Sequence, residues 1–573
     1  MRRFTAAPPV HPPGQSSRQA SLLALVALLA TLVIMASSVV SAGATSAAPR
    51  AATQGSATTQ ATFNHTIHVP ADFPTIQAAV NAATAGDLVL IAKGVYHEAV
   101  DVKTPGITIR GEDRMGVQLD GRDASGKPVL PNGIYVEAND VIIENMTAHH
   151  YVGNGFFWKD VIGYRGSYLT AYDLGDYGIY ARTSTMGEFD HSLASGSPDS
   201  GFYIGECFPC DALITDVHSE WNGLGYSGTN AGGNLVIKNS VWTKNAAGIV
   251  PNTLLSEGLA PQRGATIIDN QVYDNNNEDA PAFESERTVL GVGIGLMAGN
   301  QNYVAHNDVH DQDLYGILVG GIITQGQFFV ASRNVVEQNT IKNSGVADMA
   351  LSAPTGPGNC FSDNKAKTTL PPLLEVTHAC GTPFPNVGGG DMGPTLLLYA
   401  RDSYNSSPNY KSRDWRTVPP PPAALQPNMP DVNAPRGDIF TEPFPLAASL
   451  PRNGIPPQVP SGGPSMLHPL GFTAYTIFQI LLALFGNFLF FTLYAAWVAI
   501  ALWEIAHRKE LSTRAQFGWG ALVLAVPIVG PIVYYFAGKS QLSRNVRLGL
   551  VVGAPLLLIA LTVVLVVLAG VIQ

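Results

Sequence analysis

Charged side chains are scarce in this sequence of 573 residues. Asp, Glu, Lys and Arg make up 13% of the chain, whereas an average soluble protein has about 25%. Basic residues are especially few in the middle, where residues 51–468 contain 23 basic and 41 acidic side chains. Such a segment repels a phosphate backbone, so the composition argues against nucleic acid as a partner. The basic flanks suit a membrane surface instead.

Cysteine is also scarce, and the pattern of the four cysteines does not indicate a metal centre. In an exported chain, an even number of cysteines favours disulfides, most simply Cys207 with Cys210 and Cys360 with Cys380. A C-x-x-C motif can also bind metal or exchange disulfides, but the sequence has no second copy of it. The remaining candidates are predicted to be ordinary strand or loop residues: His149, His150, His306 and His310. We therefore expect no metal site and no cofactor.

Long apolar runs lie at both ends of the chain. Residues 1–48 contain the uncharged run Ser21–Val40 followed by small residues, as in a secretory signal or signal anchor. Residues 471–573 contain three runs that each exceed the roughly 18 apolar residues of a spanning helix. These runs predict membrane helices at about 471–503, 517–537 and 548–572. The Pro-rich segment 385–470 is expected to be a spacer that holds the exported part off the membrane.

The last part of the chain carries a resemblance to a known membrane module. The residues that carry it are Trp503-Glu504-Ile505, Trp519, Val526-Pro527-Ile528-Val529-Gly530-Pro531-Ile532-Val533-Tyr534-Tyr535 and Gly538-Lys539. They resemble the membrane module that precedes the catalytic part of cardiolipin synthases and other phospholipase D-like proteins. The resemblance implies an anchor. Phospholipase D chemistry is not expected, because Arg514 stands where the catalytic motif needs Asp and the motif has no second copy.

Glycine followed by an apolar residue recurs at a nearly constant interval. The pairs begin at Gly133, Gly155, Gly178, Gly201, Gly225, Gly248, Gly293 and Gly316, with spacings of 22, 23, 23, 24, 23, 45 and 23 residues. A constant period in this range marks a solenoid, and short β-rich strings between turn residues favour three strands per coil. The sequence therefore predicts an all-β parallel β-helix over 65–384, after a low-complexity linker over 49–64. The interval of 45 is one coil with an insertion, or two coils with weak signals.

The start of the solenoid carries a second resemblance. Residues 74–83 place Ile76, Ala79, Val80 and Ala83 on one face of a helix that would cap the open end of the stack. With Gly94-Val95-Tyr96 and Ile107-Thr108-Ile109-Arg110-Gly111, this stretch resembles the N-terminal cap of right-handed parallel β-helix proteins. That superfamily includes pectate lyases, pectin esterases, polysaccharide epimerases and a periplasmic copper-handling accessory protein. The resemblance implies the fold, whereas one fold hosts many activities.

One column of side chains is expected to face outward from successive coils. Because strand side chains alternate, the residue after each glycine should face the core and the next one solvent. The predicted substrate-binding residues on this face are Tyr135, Phe157, Tyr180, Tyr203, Lys159, Asn230 and Asn252. Exposed rings flanked by charge suit a sugar-binding groove. The alternative is a ladder of rings that is covered by loops and stabilises the sheet.

A catalytic alternative uses charged residues of the same face. Arg182, Glu206 and Asp160 form the outward group that the sequence brings together. A lyase of the pectate type would need clustered acids for calcium together with a basic residue. The calcium-binding repeat G-G-x-G-x-D is absent, so Ca²⁺ enters as a cofactor of this alternative alone.

Three functions remain open from the sequence. The first is a membrane-anchored surface protein that binds cell-envelope or environmental polysaccharide without cleaving it. The second is a polysaccharide lyase, hydrolase or epimerase that acts on the 135–253 face. The third is a maturation or accessory factor with a membrane-protein partner. We favour the first, because no complete catalytic constellation is visible in the sequence.

Overall fold

The computed structural model describes residues 62–325, 327–381, 389–405, 412–439, 490–525, 529–538 and 540–553. The predicted signal segment 1–48 lies outside the described residues, as does nearly all of the predicted linker 49–64. The described chain begins immediately before its first strand.

The central part of the chain is a parallel β-helix with three faces per coil. Strands from two faces join in one 20-stranded sheet: Thr66–Val69, Leu88–Ile91, Gly94–Tyr96, Thr108–Gly111, Val117–Asp120, Val141–His149, Ile162–Tyr172, Thr185–Asp190, Leu193–Ser195, Ala212–Thr215, His218–Glu220, Gly232–Lys238, Val241–Thr243, Arg263–Ile268, Gln271–Tyr273, Tyr303–Ala305, Asp308–His310, Val335–Glu337, Thr340–Lys342 and Cys360–Ser362. The third face is an 11-stranded sheet: Val100–Val102, Ile134–Val136, Phe156–Lys159, Ile179–Arg182, Ser200–Gly205, Leu224–Thr229, Ala247–Asn252, Val292–Met297, Tyr315–Gly320, Ala347–Leu351 and Thr369–Leu370. A small antiparallel hairpin joins Ile322–Thr324 to Gln327–Phe329. The predicted parallel β-helix is confirmed.

Residues in the left-handed conformation form the corners between the faces. Asn145, with φ of 56°, divides the strand Val141–His149, so that residues 141–144 belong to the first face and residues 146–149 to the second. Tyr168 divides Ile162–Tyr172 in the same way. Among residues other than glycine, Asn and Asp adopt this conformation most readily. The Asn- and Asp-rich strings of the repeat therefore lie at turns.

A ladder of asparagine side chains fills the inside of one corner. Asn270, Asn307 and Asn339 are buried, and each amide group bonds to the next along the axis. The sequence predicts such a structural ladder from the matching coil positions of Asn145, Asn239, Asn270, Asn307 and Asn339, and the last three form it. Asn145 and Asn239 differ from that expectation, because each occupies the left-handed position one residue earlier in its coil.

The interval of 45 residues is one coil with two insertions. The strand Ala247–Asn252 pairs directly with Val292–Met297, so no complete coil separates them. Residues 254–262 form the first insertion and residues 274–291 form the second, with the strands Arg263–Ile268 and Gln271–Tyr273 between them. Both insertions border the third face, and the first bonds to residues of neighbouring coils.

Both ends of the solenoid are closed by short helical segments or disulfides. The predicted capping helix spans Ile76–Ala82, where the Thr75 side chain accepts a hydrogen bond from the Ala78 amide. At the other end lies the helix Leu374–Thr377, whereas the helix Met392–Asn405 packs along the third face and bonds to the second insertion through Arg401 and Asn405. Short 3₁₀ segments span Glu286–Val289, Trp415–Thr417 and Ala423–Leu425.

The cysteines pair as predicted, Cys207 with Cys210 and Cys360 with Cys380.

Residues 412–439, which we call the strap, run over the outside of the β-helix from the second insertion, where Ser412 Oγ accepts a hydrogen bond from the Ala282 amide at 3.1 Å, to the first face, where they contact Arg110. The guanidinium of Arg110 is buried, pairs with Glu144 at 2.7 Å and donates to the carbonyl oxygens of Val432 at 2.9 Å and Ala434 at 2.6 Å. Charged groups lose less free energy on burial when such partners satisfy them. The strap therefore covers charged positions that the first coils would otherwise expose to water.

The strap changes the interpretation of the predicted spacer 385–470. Two described parts of that segment, the helix Met392–Asn405 and the strap, pack on the β-helix instead of extending from it. The physical reason is that their polar groups find partners on the solenoid, which the Pro-rich composition alone does not reveal. Residues 440–470 lie outside the described residues.

The C-terminal described residues form helices at Phe490–His507, Thr513–Ala525, Val529–Ala537 and Arg544–Leu548, with a π-helical turn at Gly549–Gly553. The first three pack together around a small apolar cluster that contains Ala501, Ile505 and Tyr534. Within the described residues, none of the helices has both the length and the apolarity needed to cross a membrane. Large parts of two predicted membrane segments, 471–489 and 554–572, lie outside the described residues.

Candidate functional site

Four aromatic residues lie in register on four successive strands of the third face. Tyr135 pairs with Phe157, Phe157 with Tyr180, and Tyr180 with Tyr203. Their ring centroids are separated by 5.0, 4.2 and 4.8 Å along this column. We call the four residues the aromatic ladder. It exists because the coil period repeats the same outward position on each strand.

Exposure of the aromatic ladder falls from one end to the other. Tyr135 and Phe157 are half-buried, whereas Tyr180 and Tyr203 are buried. The first insertion covers Tyr203, whose hydroxyl donates to Glu257 Oε2 at 2.9 Å. Tyr203 was predicted to contact substrate, and with 1% of its surface exposed it is not available for that contact. The covered half of the ladder stabilises the sheet, which leaves the Tyr135 end open.

The rings present their edges to solvent where they stack face to face. Phe157 and Tyr180 are nearly parallel, with 11° between the ring planes, so each covers a face of the other. The hydroxyl of Tyr135 donates to Glu137 Oε1 at 2.8 Å. A ligand on this face would therefore contact the edges of the Phe157 and Tyr180 rings and nearby polar groups, in addition to the ring of Tyr135 at the open end of the ladder.

The three predicted catalytic residues form two separate ion pairs. Arg182 donates through Nε to Glu206 Oε1, and Glu206 Oε2 accepts from the Gly258 amide at 3.1 Å. Asp160 is exposed, accepts from the Thr183 hydroxyl and lies 3.6 Å from the ammonium group of Lys159. Arg182 keeps 41% of its side chain exposed, whereas Glu206 is buried beneath the first insertion. The three residues lie on one face as predicted, but Arg182 and Glu206 pair with each other and Asp160 pairs with Lys159.

The two predicted asparagine contacts are also covered. Asn230 donates through Nδ2 to the carbonyl oxygens of Leu254, Glu257 and Gly258 in the first insertion. Asn252 donates to the hydroxyl of Ser227 and is buried. Alternation places both residues on the outward face, but the insertion lies over that face in these coils. Asn230 therefore holds the insertion in place.

A cluster of half-buried carboxyl groups lies beside the aromatic ladder, and the sequence did not predict it. Asp176 and Asp199 precede strands of the third face, Glu257 comes from the first insertion and Glu286 comes from the second. The hydroxyl of Tyr177 donates to Asp199 Oδ2 at 2.8 Å, and the Tyr177 ring stacks on Tyr180 at 4.3 Å. We call these four acidic residues the carboxyl cluster.

Burial shifts the titration of the carboxyl cluster. It raises the pKa of Asp176 to about 6 and the pKa of Glu286 to about 7. It also raises the pKa of Asp199 and that of Glu257, and neighbouring acidic groups add to both shifts. Carboxyl groups that keep a proton near neutral pH can donate it in acid catalysis. One sequence signal was available, since Asp176 and Asp199 both lie two residues before a periodic glycine.

The second face carries a group of side chains with metal-ligand chemistry. Asp120, His149 and His150 each offer one donor atom, and these atoms lie within 4.8 Å of one another. Asp120 and His149 occupy paired positions on neighbouring strands. From the sequence these histidines are predicted to be ordinary strand or loop residues, because their approach to Asp120 depends on the register between coils.

Two family models match parts of the chain. Residues 132–321 match the family described as right handed beta helix region, and residues 490–539 match the family described as phospholipase D-nuclease N-terminal. Both matches confirm the resemblances seen in the sequence. No curated protein matches this chain.

Solved structures similar to this chain include three proteins of low sequence identity. The A-module of a mannuronan C-5 epimerase of Azotobacter vinelandii is 15% identical, with a TM-score of 0.40, covering 50% of this chain and 89% of that chain. An alginate lyase of a Paenibacillus species is 16% identical, with a TM-score of 0.35, covering 53% and 99%. The DFA-IIIase of Arthrobacter chlorophenolicus, without its lid, is 13% identical, with a TM-score of 0.35, covering 52% and 94%.

Proposed function

We propose that this protein is a membrane-anchored, surface-exposed β-helix protein that binds polysaccharide along its third face. The observation that supports this proposal is the open end of the aromatic ladder, where Tyr135 and Phe157 lie beside Lys159, Asp160 and Arg182. Ring edges with nearby cations and carboxylates offer both apolar contact and hydrogen bonds to a sugar. We call these five residues the open strip.

An extended ligand suits the open strip better than a small one. The strip crosses three coils, and neighbouring strands of a sheet lie about 4.8 Å apart. Similar groups therefore recur along the axis of the solenoid, as a polymer of similar units would require. The insertions close the strip at one end, so the ligand would approach from the Tyr135 end.

The membrane anchor is the second part of the proposal. It is supported by the family match over residues 490–539 and by the apolar runs of the sequence at both ends. Glu504 in the described helices is buried and accepts a hydrogen bond from Ser540 at 2.7 Å, so its charge is partnered within the helical cluster. The β-helix would then face the extracytoplasmic side.

Replacing Tyr135 by alanine and Lys159 by glutamine together should weaken polysaccharide retention. We expect a loss of at least about two- to tenfold, because an aromatic contact contributes roughly 0.5–1.5 kcal/mol and a tenfold change in affinity corresponds to about 1.4 kcal/mol. Affinity electrophoresis of the purified chain in gels that contain acidic or neutral polysaccharides measures the retention.

Tyr273→Ala is the matched control for this experiment. Tyr273 is also half-buried and stacked on a neighbouring ring, that of His310 at 5.1 Å, but it lies on the second face. Equal retention by the double variant and the wild type would remove the open strip as the binding surface.

The carboxyl cluster favours a second candidate function, hydrolysis of a glycosidic bond. In such a reaction a protonated carboxyl donates its proton to the leaving oxygen, while a second, ionised carboxyl group takes the proton from the water that adds to the sugar carbon. Glu286 and Asp176 fit the donor role because their pKa values are raised to about 7 and about 6. This candidate moves the predicted catalytic role from Asp160, which is exposed and paired with Lys159, to the covered end of the ladder.

Changing Glu286 to glutamine, together with Asp176 to asparagine, should abolish product formation and flatten the pH dependence of stability. In the wild type both groups hold protons more tightly when folded, so the stability they contribute is complete below about pH 4. That contribution is lost as the pH rises through about 6 to 7. Mass spectrometry of polysaccharide digests and thermal unfolding between pH 4 and 7 measure the two effects.

Asp279→Asn controls for charge on the same insertion, because Asp279 is exposed. It should change neither product formation nor the pH slope. If the wild type makes no product from any polysaccharide while the pH slope is present, the cluster is buried as described but not catalytic.

A further inference from the structure

We infer that Asp120, His149 and His150 bind one divalent transition-metal ion of the Zn²⁺ class. The site lies on the second face and does not depend on the proposed polysaccharide function. Its donors are two imidazole nitrogens and one carboxylate oxygen, a set that suits Zn²⁺, Co²⁺, Ni²⁺ or Cu²⁺ better than Ca²⁺ or Mg²⁺.

The backbone brings two consecutive histidines to the same place. Side chains of neighbouring residues in a strand normally point in opposite directions. His150 has φ of 57°, in the left-handed region, so the chain turns a corner directly after His149. The Nδ1 atoms of His149 and His150 are in contact, and they lie 3.8 Å and 3.7 Å from Asp120 Oδ1. All three donor atoms thus face a common point.

The neighbouring atoms point to a ligand that protein groups do not supply. His149 is 3% exposed, yet its Nε2 has no hydrogen-bond partner in the described structure. Asp173 is equally buried, and its Oδ1 also lacks a partner there, while its Oδ2 lies 3.6 Å from His150 Nε2. Buried polar atoms without partners are rare, because each costs the free energy of its lost hydration. A cation held at the two Nδ1 atoms and Asp120 Oδ1 would give both imidazoles and the Asp120 carboxylate a favourable neighbour.

The charged groups around the three donors favour the binding of a single cation. Arg122 bonds to both oxygens of Asp120, with Nη2 at 2.7 Å from Oδ2, and so reduces the negative charge available to a metal. His97 also lies near the site, with its Nδ1 at 3.2 Å from the Asp120 carbonyl oxygen, and it brings no negative charge. The carboxyl group of Asp173 lies on the far side of His150. The arginine orients the Asp120 carboxylate, and Asp120 Oδ1 remains directed at the histidines.

A metal in this place would connect two successive coils through its ligands, with Asp173 of the third coil beside it. Asp120 ends the strand Val117–Asp120, His149 ends Val141–His149, and Asp173 follows Ile162–Tyr172. The ring of Tyr172 stacks on His149 at 4.9 Å and restricts its rotation. Because protein ligands are deprotonated and fixed only in the folded chain, binding would stabilise the fold by mass action.

The test uses the untagged full-length chain in detergent, freed of metal with a chelator. Zn²⁺ affinity and stoichiometry are measured by competition with a chromophoric chelator, and Co²⁺ reports the ligand set by visible absorption. We expect one Zn²⁺ per wild-type chain and a loss of affinity of about 100-fold for His149→Ala and for His150→Ala. His310→Ala should bind as the wild type does. His310 occupies the equivalent column on the second face and stacks on Tyr273, but its neighbour is Asp311 instead of a second histidine.

A second measurement on the wild type does not depend on the folding of any variant. Zn²⁺ should protect His150, the more exposed of the two histidine ligands, from diethyl pyrocarbonate, read by mass spectrometry, and should leave His310 as reactive as before. The proposal is overturned if the wild type binds neither Zn²⁺ nor Co²⁺. It is also overturned if His310→Ala loses as much affinity as His149→Ala, or if Zn²⁺ protects His150 no more than His310.

Discussion

Replacing Asn307 by alanine is expected to lower the free energy of unfolding by about 3–5 kcal/mol. Its Nδ2 donates to the carbonyl oxygens of Ile267 and Ala305, each at 3.0 Å, and to Asn339 Oδ1 at 2.9 Å. Its Oδ1 accepts from both nitrogens of Asn270. Alanine would leave these buried groups without partners in the middle of the ladder. Denaturant unfolding followed by circular dichroism measures the change.

Asn276→Ala provides the matched control. Asn276 also bonds through its amide, to Asp313 Oδ1 at 3.0 Å, but at the surface, where water replaces the lost partner. A change of less than about 0.5 kcal/mol is expected there. Similar losses for the two variants would mean that the internal ladder contributes no more than an ordinary surface bond.

Replacing Arg114 by methionine is also expected to lower the free energy of unfolding by about 3–5 kcal/mol. The Arg114 side chain is fully buried, and its guanidinium donates to Thr170 Oγ1 at 2.9 Å and to the carbonyl oxygens of Leu169 at 2.6 Å and His191 at 2.9 Å. It also donates to Pro427 of the strap at 3.1 Å. Methionine has a similar length but no donors, so several buried carbonyl groups would lose their partners.

Arg416→Met tests whether any arginine in contact with the strap would have the same effect. Arg416 lies in the strap itself, is exposed and pairs with Asp414 at 2.7 Å. Exposed pairs contribute about 0–1 kcal/mol, so a small change is expected. Thermal unfolding of both variants should also show whether residues 412–439 become sensitive to protease in Arg114→Met alone. Unchanged stability of Arg114→Met would contradict the role given to the strap.

Much of the fold could be predicted because the solenoid repeats. The interval between glycines such as Gly155 and Gly178 is the length of a coil, and alternation within a strand gives the column of Tyr135, Phe157 and Tyr180. These rules are local, so they can be applied without knowing the contacts between residues far apart in the sequence. The assignment of Asn145 to the ladder failed by one residue, because a left-handed corner and the residue after it are equally rich in Asn and Asp.

The candidate site was less predictable because its decisive parts do not repeat. The insertions that cover Tyr203 and bind Asn230 have no periodic signal, so their path over the third face is invisible in the sequence. Glu257 and Glu286 reach the carboxyl cluster from those same insertions. His149 and His150 were visible as a pair, but their approach to Asp120 depends on the register between coils and on one corner angle.

The strap also determines where mechanical force would enter the molecule. Tension on the chain beyond residue 439 reaches the β-helix first at early coils, where Arg436 donates to the Asp140 carbonyl oxygen at 2.6 Å and Arg110 holds Ala434. The last coil, which is closer along the chain, would carry load after these bonds had parted. When the C-terminal segment is pulled, the hydrogen bonds of the strap would therefore break before force reaches the last coil of the solenoid.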